Sequence, residues 1–107
     1  MAVTFISHVK DALSAEDKAK AMALEIIGGK AESYAKKLCP VDTGRLRNSI
    51  THQQYDENTE VIGSNVEYAP YVELGTHKQK AQPFLRPAAE NHTPEYRAVI
   101  ESVLKNA

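Results

Sequence analysis

Upstream of Pro40 the chain carries a long run rich in Ala, Lys, Glu, Met and Leu, and Pro40 cuts that run. These residue types are strong helix formers, whereas proline disfavours helical geometry at the residue before it. The pattern predicts one long helix over residues ~15–38 that ends by Cys39. Ser14 and Asp17 have the spacing of a capping box, and Glu32 and Lys36 form an i, i+4 pair in the favourable order. Ala19, Ala23, Ile26, Ile27, Tyr34 and Leu38 fall close to one helical face, the expected core face. Gly28-Gly29 interrupts the pattern at a cost of roughly 1 kcal/mol per glycine relative to alanine. It reads as a tolerated kink or as a place where another backbone packs closely.

The second half is punctuated by turn residues. Asp42-Thr43-Gly44 is a turn signal, and Gly44 is expected to adopt a positive φ. Leu46 to Tyr55 reads as a strand with Ile50 as its firmest core residue. Asp56 to Thr59 reads as a polar hairpin connection, and Glu60 to Ser64 as the returning strand, with Val61 and Gly63 facing inward. Residues 2–6 suit a short edge strand, and Ser7 to Leu13 a helical turn. Tyr68 to Leu74 reads as a short helix with Pro70 in its first turn and Gly75 just past its end. A polar loop with Lys78 and Lys80 follows. Near Pro83 or Phe84 a last helix begins, and Thr93-Pro94 marks a second helix start. Tyr96, Val99, Ile100, Val103 and Leu104 make an amphipathic stripe. One kinked helix and two separate helices both fit. Tyr68, Tyr71, Leu74, Phe84 and Leu85 are expected to cluster against the long helix. The resulting fold class is α+β, a small antiparallel sheet packed against a long N-terminal helix and a C-terminal helix. Residues 1–107 are expected to form one domain.

Charge and cysteine content exclude several functions. The 107 residues carry 13 Lys and Arg against 14 Asp and Glu, a formal net charge of −1. The two signs are interleaved, so the chain lacks the concentrated positive field that backbone-driven nucleic-acid binding needs. Its one cysteine, Cys39, rules out an internal disulfide and fits a reducing compartment. The apolar run Val3 to Ile6 is too short for a signal-peptide core or a membrane span. Asn91-His92-Thr93 matches a glycosylation triplet by chance, with Pro94 following it.

The sequence holds no Gly-rich phosphate loop, no paired CxxC and no nucleophile elbow. Glu73 and His77 lie four apart, and a small metal-dependent hydrolase would use them with His52. Gly75 between them argues against a shared helical face. Cys39 at a helix end reads as packed rather than nucleophilic. No catalytic, cofactor or metal residue is assigned. Arg45 and Arg47 read as a solvated edge or as partners for acids of a neighbouring subunit such as Glu67 or Glu73. Lys78 and Lys80 sit in a loop long enough to be functional.

Three stretches taken together resemble the neck or tail-completion family of long-tailed double-stranded DNA bacteriophages, also labelled tail components or head–tail joining proteins. They are Pro40-Val41-Asp42-Thr43-Gly44-Arg45-Leu46-Arg47-Asn48-Ser49-Ile50, then Val66-Glu67-Tyr68-Ala69-Pro70-Tyr71-Val72-Glu73-Leu74-Gly75-Thr76, then Ala81-Gln82-Pro83-Phe84-Leu85-Arg86-Pro87-Ala88. The resemblance covers about two thirds of the chain in the family's order of elements. Lys80 departs from the pattern, standing where relatives often have an apolar residue, and Thr93-Pro94 interrupts the last helix.

The resemblance implies a structural virion protein and not an enzyme. Its subunits would form a homo-oligomeric ring, a hexamer or dodecamer, at the head–tail interface, assembled in the bacterial host cytoplasm. The implied partners are the connector or head-closure protein and the tail terminator or tail tube protein. DNA would pass through the lumen, and no membrane or cofactor is involved. A protein-binding module without a virion role and a small metal-dependent hydrolase are the alternatives. A closed ring needs two different complementary surfaces per subunit. The expected ones are the hairpin and loop region, with Arg45, Arg47, Glu67, Glu73, Lys78 and Lys80, and the outer face of the long helix, with Lys18, Glu25, Lys36 and Lys37. The Lys78–Gln82 loop is expected to reach a neighbour and to order only there.

Overall fold

In the computed structural model, which describes residues 3–8, 17–40, 44–56 and 58–105, the run before Pro40 is a 22-residue helix, α1 (Asp17–Leu38). It closes with Cys39 N–H donating to Ala35 O at 2.9 Å. Ser14 and Asp42 lie outside the described residues. The elements are β1 (Val3–His8), α1, α2 (Arg45–Ser49), β2 (Thr51–Asp56), β3 (Thr59–Ser64), α3 (Ala69–Leu74), α4 (Leu85–Glu90) and α5 (Thr93–Lys105). The fold is α+β, with three antiparallel strands in the order β1-β3-β2. The register shifts between Gln54 and Asp56, and Tyr55 there is exposed.

Helix α1 packs against β2, β3, α4 and α5, and α4 also meets β1 and β3. The core between them holds Ala23, Leu24, Ile27, Ala31, Ala35, Ile50, Ile62, Phe84, Leu85, Ala88 and Ile100. Burying these apolar side chains supplies the main driving force, about 25 cal/mol per Å² removed from water. The small residues Ala23, Ala31 and Ala35 bring α1 close to its neighbours. Along the α1–α5 seam Tyr34 stacks on His92 with ring centroids 3.6 Å apart, and its hydroxyl donates to Glu95. Tyr96 donates to Ala88 O at 2.6 Å, which ties α5 back to α4.

Several sequence expectations change. The core face of α1 includes Leu24, whereas Ile26 and Leu38 are exposed. The stretch read as a strand from Leu46 is instead a single helical turn, α2, before β2 begins at Thr51. Gly44 opens that turn at φ 84°, a left-handed conformation that glycine adopts without a Cβ penalty. In β3 the inward parity is the opposite of the one expected: Glu60, Ile62 and Ser64 are buried, while Val61 and Gly63 are half-buried. Ser7 and His8 belong to β1 rather than to a helical turn. The C-terminal region is two helices, broken at Asn91 and His92.

Candidate interaction surface

Helix α3 carries the most telling surface. Pro70 sits in its first turn, where the missing N–H costs nothing, and Gly75 ends it at φ 76°. Ala69 is fully buried and Tyr68 is packed against the core. Tyr71 and Leu74, one turn apart, point away from it and are 59% and 65% exposed. The proposed core cluster therefore splits. Phe84 and Leu85 are inside at 0% exposure, and Tyr71 and Leu74 are outside. The cause is that α3 has only six residues, so one face meets the core and the other meets water.

What holds α3 in place is Glu73, a residue expected at a subunit interface. Its carboxylate is 3% exposed and accepts from Phe84 N–H at 2.9 Å and Leu85 N–H at 2.8 Å through Oε1, and from Arg86 N–H at 3.2 Å through Oε2. The first backbone donors of a helix have no partner within it. Here a side chain from a different helix satisfies them, and its negative charge sits at the positive end of α4. Glu73 is thus a buried brace and not an interface residue.

The loop after α3 is closed on its own chain. Thr76 and Gln79 exchange backbone hydrogen bonds at 2.9 and 3.3 Å, and Gln82 N–H donates to Val72 O at 2.8 Å. At Gly75 an added Cβ would lie 2.7 Å from Ala81 N, so the return strand of the loop passes directly over the glycine. A loop ordered only by a neighbour does not describe this conformation. Lys78 and Lys80 project from it, exposed.

Arg45 and Glu67, expected to pair between subunits, pair within one. The guanidinium reaches Glu67 at 3.2 and 3.0 Å and lies 5.4 Å from the Tyr68 ring centroid. A hydrogen bond from its own backbone N–H, and then Arg45, hold the Glu67 carboxyl below the usual carboxylate range. Both groups are exposed, so the pair contributes little to stability. Arg47 is exposed on α2.

Nor are the three hydrolase candidates brought together. Glu73 is occupied at α4, His77 is exposed in the loop, and His52 stands on β2 facing α1. There its Nδ1 lies 2.8 Å from Glu60 Oε2, and its Nε2 lies 3.7 Å from Glu25 Oε1 and 4.0 Å from Glu32 Oε1. Glu25, expected on the outer face of α1, instead reaches toward His52, and Glu60 was not singled out by sequence. The available signal was Gly28, where an added Cβ would fall 2.3 Å from Glu60 Oε2 and 2.4 Å from His52 Nδ1. The close approach is by side chains from the sheet, not by a backbone. Cys39 is buried, and desolvation pushes its thiol up, away from the thiolate that nucleophilic chemistry uses.

Among the described residues no helix is long and apolar enough to cross a membrane. A family model described as "Bacteriophage HK97-gp10, putative tail-component" matches residues 4–75. The match runs from β1 through α3 and stops short of the Gln82-Pro83-Phe84 stretch. No match was found among curated proteins or solved structures.

Proposed function

The chain belongs to the HK97-gp10-like family of bacteriophage tail components, and from that premise we propose that it is a ring subunit at the head–tail junction. In this reading it joins the connector stack to the tail tube and leaves a lumen through which DNA passes. The observation that carries the proposal is the exposure of Tyr71 and Leu74 on α3, a helix fixed from behind by Glu73. Large apolar side chains held rigidly in water mark an interaction site, and aromatic anchors are the usual energetic centre of one. Arg47, Lys78 and Lys80 supply a polar, cationic rim. The complementary surface is the outer face of α1, where Met22 and Ile26 are exposed beside Lys18 and Lys37. Two unlike surfaces on one subunit are what a closed ring requires. A net charge of −1 suits a conduit, because strong phosphate binding would retard transit.

The test is the double variant Tyr71→Ser, Leu74→Ser. Both side chains are outside the core, so the subunit is expected to fold and melt like the wild type. It is expected to be absent from purified particles, which accumulate without joined tails. Particles with normal tails that contain the double variant would place the interface elsewhere. Native mass measurement of the wild type with connector protein, and separately with tail tube protein, identifies the neighbouring ring.

A further inference from the structure

We propose that Glu25, His52 and Glu60 form a binding site for a divalent first-row transition cation that braces α1 to the β2–β3 hairpin. Each residue comes from a different element, and their ligand atoms all lie within 4.8 Å of one another. The proposal is independent of the ring reading.

Three observations point to a cation. First, Glu60 is 2% exposed, and while its Oε2 meets His52, its Oε1 is buried with no hydrogen-bond partner. A buried, unsatisfied carboxylate oxygen is costly and calls for a missing ion or water. Burial accordingly pushes the Glu60 carboxyl up, partly offset by His52. Bidentate ligation by Glu60 would use both oxygens. Second, the 2.8 Å between His52 Nδ1 and Glu60 Oε2 is a length that two ligands of one cation can span at metal–ligand bonds of ~2.0–2.2 Å. Third, the lack of a side chain at Gly28 is what lets both ligand atoms lie against α1. A Cβ there would collide with both ligand atoms, and a second glycine one residue on meets nothing within 4 Å.

The donor set selects the cation class. One imidazole with carboxylates suits Zn²⁺, Co²⁺ and their neighbours, whereas Ca²⁺ and Mg²⁺ prefer all-oxygen shells. Glu25 is largely exposed at the solvent side and closes the site, leaving the remaining positions to water. Glu32, held by Lys36 at 3.0 Å, adds negative potential without being required.

The experiment is calorimetric titration of the chelator-dialysed protein with Zn²⁺, in a Cys39→Ser background. One Zn²⁺ per chain and a raised melting temperature are expected. His52→Gln and Glu60→Gln are expected to abolish binding, and Glu25→Gln to weaken it by about tenfold or more. Absence of stoichiometric binding in the unsubstituted site overturns the proposal. So does a His52→Gln variant that binds as before. Should either core variant fail to fold, the exposed Glu25→Gln decides, and unchanged affinity there is the overturning result.

Discussion

Glu73 shows how far one side chain can decide local architecture. It stabilises α4 from outside that helix by accepting three backbone N–H groups at once. Truncation to Ala leaves these donors buried without a partner, and hydrogen bonds to a charged group are worth ~1.5–3 kcal/mol. Glu73→Ala is therefore expected to lose about 2–3 kcal/mol in urea unfolding, with Glu73→Gln intermediate. The adjacent glycines of α1 give a paired prediction of opposite sign. Gly29→Ala meets nothing within 4 Å and is expected to raise stability by ~0.5–1 kcal/mol through helix propensity. Gly28→Ala must displace Glu60 and His52 and is expected to lower it by about 1–3 kcal/mol. Thermal melting of the two single variants checks the signs.

At the scale of elements, legibility followed length or a proline or glycine boundary. The 22-residue α1 declared itself through composition and Pro40, and α3 through Pro70 and Gly75. Helix α2 has five residues, too few to show a helical period, and Leu46 with the following Ile50 also fits a strand. The parity of β3 is hidden in the sequence because its buried face carries Glu60 and Ser64 beside Ile62. The burial of Glu60 depends on His52 and Gly28, which are distant in sequence. Glu73 and Tyr71 exchanged roles for a similar reason. A carboxylate reads as surface and a tyrosine as core until the helix after the loop is placed. The α3–α4 junction also yields a direct test. Phe84 is fully buried, and Phe84→Ala is expected to cost ~3–5 kcal/mol, read as a drop in the denaturation midpoint.

For the whole molecule, the near balance of 13 basic and 14 acidic residues allows a prediction that no single residue carries. Affinity for duplex DNA grows with the number of phosphates neutralised, and interleaved charges neutralise few. The isolated subunit is expected to show no salt-dependent retention of duplex DNA in a mobility assay. Clear retention at low salt that disappears as salt is raised would reveal a concentrated basic face. Of the surface groups named from sequence, Arg47, Lys78 and Lys80 remain available for contacts. Arg45 and Glu67 engage each other, and Glu73 is interior. Sequence could not reveal this, since pairing within a subunit and pairing between subunits use the same residue types.

The strand order has a consequence in time. Val3 pairs with Ser64, so β1, synthesised well ahead of its partner β3, waits for that strand before it can bond. At ~5–20 residues per second that interval is on the order of several seconds, whereas β2 and β3 can zip together within ~1–10 μs of emerging. For those seconds the nascent chain offers an open strand whose available partners are strands of other chains. Whatever shields β1 during translation, be it a chaperone or the speed of the ribosome, sets how many chains close their own sheet rather than one another's.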